Sequence, residues 1–286
     1  VKPARGGEPG RPVVYQAVAG ERVVLRGSDA LETEWTRHDT NDGVWATTPP
    51  AVETTPGSAL TTPVMDSDAW GTLAQLFIDG RPMREVGGDT RLDRPGTWRY
   101  DRENRRVLLC PPVDVADPNG RLVELSVRER VFAPMKRGLG HITVRGFTME
   151  HAANVYPRNF WASQTPQAGM LSTRGGHDWI IEHNTLRFAQ TVGLDCGAEG
   201  PYDLDGLDQP QPENTGGHAI RHNVIADNGS LGVAGYRSYG TRIIGNVIEG
   251  NNARGVVSPA SAGIKVHYSQ GGVIAANLVR DNDAQG

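Results

Sequence analysis

A short motif recurs four times in the second half of the chain, and this repeat limits the possible folds more than any other feature. Each copy is an apolar, Ile-containing stretch that ends in an asparagine. The four asparagines are Asn184, Asn223, Asn246 and Asn277. The residue nine positions after each of them is a glycine, namely Gly193, Gly232, Gly255 and Gly286. Residues 141–149 form an earlier, degenerate copy in which Gly146 takes the place of the asparagine.

The spacing of the copies indicates a solenoid of β-strands. Successive asparagines lie 39, 23 and 31 residues apart. The shortest interval is about one coil of a parallel β-helix, so the longer ones contain loops. Each asparagine can supply the left-handed bend between strands and stack its amide on the next coil, about 4.8 Å away. We therefore predict an all-β chain folded as a parallel β-helix; a β-sandwich with recurring Asn-rich turns is the alternative.

The N-terminal part of the chain departs from the repeat. Residues 12–16 and 22–26 read as two short strands, which is what a first coil would contribute. From Ser28 onwards, proline clusters and a hairpin pattern at residues 98–109 replace the spacing of Asn and Gly. We predict three segments: a first coil at residues 1–27, an inserted β-sandwich-like domain at 28–137, and further coils at 138–286.

The charge balance and the cysteines argue against several classes of protein. The chain has 29 Lys and Arg against 33 Asp and Glu, a net charge of −4. This offers no basic surface for a phosphate backbone, so we expect no nucleic acid partner. No apolar run approaches the roughly 18 residues of a membrane span, and we expect a soluble protein. Cys110 and Cys196 lack the spacing of a zinc site or a disulfide framework. The oligomeric state and the compartment, whether secreted, periplasmic or cytoplasmic, stay open.

Five segments carry a more specific pattern than the repeat alone. They are residues 1–3, 20–27 (GERVVLRG), 141–153 (HITVRGFTMEHAA), 179–184 (WIIEHN) and 262–267 (AGIKVH). Together they resemble the right-handed parallel β-helix glycoside hydrolases of the β-xylosidase type, over nearly the whole chain. The resemblance implies an early β-sandwich insertion, and a nucleophilic Asp and an acid/base Glu in strands that follow Gly286. We therefore expect a fragment that is truncated at both ends and inactive by itself.

Strand alternation places four polar side chains on the solvent-facing side of one wall. They are Lys265, His267, Asp195 and Tyr236. By the resemblance, His267 lies one coil before the nucleophile, about 5 Å from it, and close enough to bind the same sugar ring. Lys265 can donate to sugar hydroxyls or lower the pKa of a nearby carboxylate. For Lys265 and His267 the alternative is a solvated surface, and for Asp195 it is turn chemistry.

A loop at residues 154–169 is a candidate wall of a cleft. It contains Tyr156, Phe160 and Trp161, and sugar rings stack on such aromatic faces. Trp161 is our candidate for substrate binding, and the alternative is that it packs under its own loop.

A second candidate wall is the loop at residues 198–217. It holds Asp203, Asp205 and Asp208, carboxylates that alternate around a glycine. This resembles a calcium loop but lacks the length and the closing Glu of an EF-hand. We expect no cofactor, with calcium at these three residues as a weak alternative. His218, which opens the next coil, is expected to be structural.

The leading functional hypothesis is a retaining glycosidase that uses two carboxylates on xylose-containing or related plant and pectic oligosaccharides. One alternative is a polysaccharide lyase in which Lys265 abstracts a proton next to a uronate carboxylate. The other is a carbohydrate-binding β-helix module without catalysis.

Overall fold

The computed structural model describes residues 1–38, 41–64, 71–88, 90–155, 168–200, 202–203, 206–256 and 261–283. Strands dominate, with short 3₁₀ turns at Ala51–Thr54 and Pro118–Gly120. The expectation of an all-β chain with parallel sheets is therefore confirmed. The chain divides into two compact units, one made of Val1–Arg26 and Glu129–Gly286 and the other of Gly27–Arg128. Among the described residues, no helix has the length and apolar character that a membrane crossing requires.

Three parallel sheets form the first unit. The first sheet contains β1 (Val13–Gln16), β11 (Ile142–Arg145), β14 (Ile180–Glu182), β17 (Ala219–Arg221), β20 (Arg242–Ile244) and β23 (Val273–Ala275). The second contains β2 (Val23–Arg26), β12 (Phe147–Glu150), β15 (Thr185–Arg187), β18 (Val224–Ala226), β21 (Val247–Glu249) and β24 (Leu278–Arg280). The third contains β13 (Gly169–Ser172), β16 (Val192–Asp195), β19 (Leu231–Tyr236) and β22 (Ala262–His267).

From β11 onwards the chain visits the three sheets in turn, and each circuit lays one new strand beside its predecessor in each sheet. Equivalent apolar residues therefore stack from circuit to circuit: Ile181 pairs with Ile220, and Ile220 pairs with Ile243. All three are at most 1% exposed and belong to one continuous core. Burial of each such side chain contributes about 1.5–3 kcal/mol, so the repeat of apolar residues supplies the stability of the unit.

A ladder of asparagines runs along the bend between the first and second sheets. The Nδ2 of Asn184 donates to Oδ1 of Asn223 at 3.1 Å, and the Nδ2 of Asn223 donates to Oδ1 of Asn246 at 2.9 Å. Each Oδ1 also accepts a backbone N–H of the preceding circuit, as Asn223 does from the N–H of Asn184 at 3.0 Å. The expected amide ladder is therefore present, and Asn277 extends it by one more circuit.

The assignment of the bend itself to asparagine was wrong. The left-handed residue is the one that precedes each asparagine, as at His183 with φ of 55° and Ala276 with φ of 53°. In the degenerate copy at residues 141–149, the asparagine position therefore lies one residue later than predicted. Phe147, whose N–H donates to Asn184 Oδ1, holds the asparagine position, and Gly146 holds the left-handed one. Asparagine is needed for its amide, which bonds the neighbouring circuits in both directions.

A second ladder explains the glycines that open strands of the third sheet. The Nδ2 of Asn228 donates to Oδ1 of Asn251, and that of Asn251 to Oδ1 of Asn282, each at 2.9 Å. A Cβ on Gly193 would lie 2.6 Å from the Nδ2 of Asn228, so glycine leaves room for the ladder. The sequence repeat predicted that Gly255 is the equivalent of Gly193 and Gly232, and this was wrong. Gly263 takes that position in the sheet, and it lies beside Asn282 in the same way.

The second unit is one sheet with the strand order β3-β10-β6-β7-β8-β9-β5-β4. Its neighbouring strands are antiparallel except for the parallel pair β7 and β8. The strands are β3 (Ser28–Ala30), β4 (Thr36–His38), β5 (Asn41–Thr47), β6 (Leu76–Ile78), β7 (Arg81–Glu85), β8 (Thr97–Asp101), β9 (Arg106–Cys110) and β10 (Val123–Ser126). The expected hairpin corresponds to β8 and β9.

The second unit ends at Arg128, whereas the predicted insertion extends to residue 137. The segment after Arg128 belongs to the first unit because its backbone pairs there. The N–H groups of Val131 and Phe132 both donate to the carbonyl of Met170.

We expect Asn223→Ala to destabilise the first unit strongly. The side chain is 1% exposed, and its loss would leave the N–H and Nδ2 of Asn184 without their acceptor. Each buried donor left without a partner costs about 1–3 kcal/mol, so the free energy of unfolding should fall by roughly 3 kcal/mol or more. Denaturant unfolding measures this. Gln270→Ala, which truncates an exposed amide, is the control, and equal losses in the two variants would contradict a structural role for the ladder.

Candidate functional site

The outer face of the third sheet carries the candidate site, and its side chains stand in register on successive strands. One row runs through Ser172, Asp195, Ala234 and Lys265, which pair in that order. A neighbouring row pairs Tyr236 with His267. The residues that alternate with these rows point inward: Leu194 and Val233 belong to the core, and Ile264 and Val266 pack against it. The expected alternation, with Lys265 and His267 on the outer side, matches this register.

Lys265 and His267 are partly exposed, and both lie in surroundings that disfavour their charged forms. Burial lowers the pKa of Lys265. Burial, and then the charge of Lys265, lower the pKa of His267. His267 therefore favours the neutral imidazole, which has one nitrogen to donate a hydrogen bond and one to accept.

Aromatic rings surround the imidazole of His267. Its ring centroid lies 4.9 Å from that of Tyr236 and 5.7 Å from that of Tyr268. Tyr268 is 68% exposed, and its ring meets that of Tyr236 edge-on at 5.7 Å. Arg237 places its guanidinium 5.2 Å from the Tyr236 centroid. This group offers the exposed ring of Tyr268, which suits the apolar face of a sugar. Both ring nitrogens of His267 are buried beside it.

Asp195 is buried, with 4% of its surface exposed. Its Oδ2 accepts the N–H of Gly169 at 2.6 Å, and the Ser172 hydroxyl donates to the same carboxyl group. Desolvation raises the pKa of Asp195 to about 7, against the opposing charge of Arg130. The carboxyl therefore changes its protonation state near neutral pH.

Glu199 lies in the same buried cluster, but its pKa shifts in the opposite direction. Its Oε1 is 2.7 Å from Nη2 of Arg130, and its Oε2 is 2.9 Å from Nε of Arg174. These two cations hold the pKa of Glu199 below its ordinary value although the group is buried. Its backbone N–H donates to the Tyr202 hydroxyl at 2.8 Å, and its carbonyl accepts from Arg137 at 2.9 Å. Glu199 therefore stays ionised and anchors the start of the 198–217 loop.

The expectation that Asp195 and Tyr236 face solvent was wrong. Tyr236 is 6% exposed and packs against Ala198 and Tyr202 of the loop that follows β16. The same loop supplies Glu199, which lies close enough to Asp195 to raise its pKa. Both side chains do point outward from the sheet, but the 198–217 loop covers them. A sugar from solvent would therefore meet Tyr268 and Lys265 before it met Asp195.

The remaining candidates are dispersed. Trp161 and Asp205 lie outside the described residues, so their roles stay predictions. Asp203 and Asp208 are exposed on the 198–217 loop. His218 is fully buried, its Nδ1 accepts the N–H of Trp179 at 3.1 Å, and burial lowers its pKa to about 3. The imidazole of His218 is thus a neutral part of the core.

Sequence reasoning missed the arginine and glutamate cluster. Arg130 and Arg174 precede or interrupt the repeat, and no motif marks them. Glu199 carries one signal, its position four residues after Asp195 at the start of a long loop. Only the path of that loop brings the charges together.

Comparison with solved structures identifies the fold. The chain superposes on XylC, solved in complex with xylose, with a TM-score of 0.83 and 24% sequence identity over 99% of its length. The chain spans about half of XylC, 51% of that protein. A structure described as a glycoside hydrolase matches with a TM-score of 0.49 and 13% identity, over 95% of this chain and 76% of that one. No family model and no curated protein sequence matches the chain. The likeness to XylC shows a shared fold.

We expect Asp195→Asn to change how stability depends on pH. A carboxyl whose pKa rises on folding binds its proton more tightly in the folded state. Its contribution is therefore complete at low pH and is lost between about pH 4, the unfolded value, and about pH 7, the folded one. Over that range the native protein should lose up to about 1.4 kcal/mol of stability per pH unit relative to Asp195→Asn.

Denaturant unfolding from about pH 5 to about pH 7 measures this difference. The buried histidines His151 and His218, with pKa values lowered to about 4 and about 3, contribute the opposite slope, but equally in both proteins. Asp203→Asn, at an exposed loop position, is the control. Parallel stability profiles for the native protein and Asp195→Asn would contradict the raised pKa.

Proposed function

We propose that this chain is part of a glycoside hydrolase with a right-handed parallel β-helix, which binds xylose-containing or related plant oligosaccharides on the outer face of its third sheet. The observation that carries the proposal is the group of His267, Lys265 and Tyr268 on that face. It combines an imidazole, an ammonium and an exposed ring within reach of one another.

The outer faces of the other two sheets differ from this one. On the first sheet, Glu182 lies 2.7 Å from Arg221 and 3.5 Å from Arg145, so charges alternate down the row. On the second, Glu150 lies between Arg26 at 2.8 Å and Arg187 at 2.9 Å. These opposite charges pair across neighbouring strands. Each row then reaches an apolar residue, Ile244 on the first sheet and Ala226 on the second.

The row on the third sheet passes from Asp195 to Ala234 and then to Lys265. Ala234 separates the two charged residues, so they lie on non-adjacent strands. Lys265 is partly exposed, and its ammonium can donate to a hydroxyl or carboxylate group of a ligand.

The catalytic carboxylates of the proposed enzyme are assigned to strands after Gly286, as the resemblance to β-xylosidases implies. Asp195 and Glu199 are poor candidates because Asp195 is covered and Glu199 is held by two arginines. A retaining mechanism needs two carboxyl groups about 5–5.5 Å apart that flank the scissile bond. His267 and Lys265 would then bind the sugar. XylC was solved with xylose bound, which supports a pentose as the first substrate to test.

We expect His267→Ala to weaken catalysis in the protein extended beyond Gly286. The imidazole packs against Tyr236 and Tyr268, so its removal would disturb the aromatic surface that is proposed to hold the sugar. An aromatic contact contributes about 0.5–1.5 kcal/mol, so kcat/KM should fall about 2- to 10-fold. Hydrolysis of an aryl β-xyloside measures this, and the 286-residue chain by itself should be inactive. His222→Asn, at the bend between the first and second sheets, is the control, since asparagine tolerates the left-handed backbone there. Activity of the extended protein that His267→Ala leaves unchanged would contradict the assignment of His267.

The second candidate is a polysaccharide lyase with Lys265 as the base, and the lowered pKa of Lys265 favours it. A lysine acts as a base only in its neutral form, so the rate should rise with pH, with a midpoint below the ordinary value of about 10.4. The measurement is the appearance of ultraviolet-absorbing unsaturated uronates from a pectic polymer. Lys265→Met should abolish it, whereas glycan binding without turnover of either substrate would indicate a binding module.

A further inference from the structure

A cluster of two histidines and one aspartate lies where the chain turns from the third sheet into the first. His141 immediately precedes β11, and His177 and Asp178 come shortly before β14, the next strand of the same sheet. The backbone joins the two turns, since the N–H of His141 donates to the carbonyl of His177 at 3.1 Å. We call these three residues the corner cluster.

The donor atoms of the corner cluster converge. Nδ1 of His177 lies 2.9 Å from Oδ2 of Asp178, and Nε2 of His141 lies 3.8 Å from the same oxygen. One ligand atom from each residue falls within 4.8 Å of the others. Donors bound to one tetrahedral zinc at about 2.0–2.1 Å are about 3.3 Å apart, so small rotations of the side chains bring all three to one ion.

Glycines in the neighbouring circuits make room for this arrangement. A Cβ on Gly140 would lie 2.1 Å from Cε1 of His177, so the imidazole occupies space that only a glycine leaves free. A Cβ on Gly217 would lie 2.5 Å from Oδ1 of Asp178. The two glycines therefore allow His177 and Asp178 to lie flat against the adjacent circuits, one on each side.

The chemistry of the donors selects the class of ion. Two imidazoles with one carboxylate suit zinc and neighbouring first-row transition metals, whereas calcium and magnesium prefer oxygen alone. The side chains of His141, His177 and Asp178 are 20%, 28% and 50% exposed. An ion could therefore reach them from solvent and keep an open position for water.

We propose that His141, His177 and Asp178 form a binding site for a divalent transition metal, with zinc as the best match. The bound ion links two successive circuits across β11 and β14. Because it binds the folded arrangement, it stabilises the first unit by RT ln(1 + c/Kd), where c is the zinc concentration, so the gain grows with the logarithm of that concentration. The site uses different residues from the proposed sugar face, so either proposal can fail without the other.

The chain contains a natural comparison for this site. His183 and His222 lie in successive circuits with ring centroids 5.3 Å apart, stacked at an interplanar angle of 21°. They form a histidine pair of similar spacing. Within the described parts of the chain, the corner cluster is nevertheless the one group that brings three possible ligand atoms together. The corner cluster differs from the pair of His183 and His222 because it also contains the carboxylate of Asp178.

Metal titration of the untagged, EDTA-treated protein tests the proposal. We expect one equivalent of Zn²⁺ to bind by calorimetry, and Co²⁺ to develop the visible absorption of a low-coordinate site. His177→Ala and Asp178→Asn should each weaken binding at least tenfold. Asn tolerates the left-handed backbone of Asp178, φ 54°, so the second variant keeps the fold if the first does not. At one zinc concentration, Zn²⁺ should also raise the melting temperature of the native protein more than that of these variants.

His183→Asn is the matched control, because His183 also has a left-handed backbone, with φ of 55°. It should bind Zn²⁺ as the native protein does. The proposal is overturned if the folded native protein binds neither ion stoichiometrically, which would leave the corner cluster a hydrogen-bonded contact only. It is equally overturned if Asp178→Asn binds normally, or if His183→Asn is the variant that loses the ion.

Discussion

Hydrogen bonding between successive circuits is the interaction on which the rest of the first unit depends. Parallel strands satisfy their backbone groups only if each circuit lies in register with the next. The bends between strands cannot use strand pairing, and two asparagine ladders replace it there. Asn223, for example, accepts from the circuit before and donates to the circuit after it. Asparagine can do both because its side chain carries an acceptor and two donors, like the backbone itself.

The strict register also determines what the outer surface can do. Side chains of successive strands are brought to a spacing of about 4.8 Å, so any row on an outer face becomes a line of closely spaced functional groups. On two sheets, parts of these rows form ion pairs between neighbouring strands, as Glu150 does with Arg26 and Arg187. On the third sheet, Ala234 separates Asp195 from Lys265. A loop covers one part of it, and there Asp195 acquires a pKa near 7. Lys265 and His267, on the other part, are partly exposed.

The same register brings distant residues together at the bends. His141 lies 36 positions before His177, and their ring centroids are 5.2 Å apart in an edge-to-face contact. The left-handed backbone at these bends favours glycine, yet His141 and Asp178 have φ values of 53° and 54°. Left-handed residues other than glycine cost about 1–2 kcal/mol each. The same left-handed backbone recurs at other bends, as at His183 and Ala276, so it belongs to the repeat and does not by itself mark a site.

The repeat in the sequence was sufficient to predict the parallel sheets, the asparagine ladder and the outward direction of Lys265 and His267. Those features follow from local periodicity, because a side chain's direction in a strand is decided by its neighbours in the chain. The left-handed residue was misassigned by one position, since the asparagine and the residue before it are equally plausible in a bend. The covering of Asp195 and Tyr236, the capture of Glu199 by Arg130 and Arg174, and the meeting of His141 with Asp178 were decided by the tertiary structure alone. Each depends on the path of a loop or on which circuits become neighbours, and circuits of unequal length hide that relation in the linear sequence.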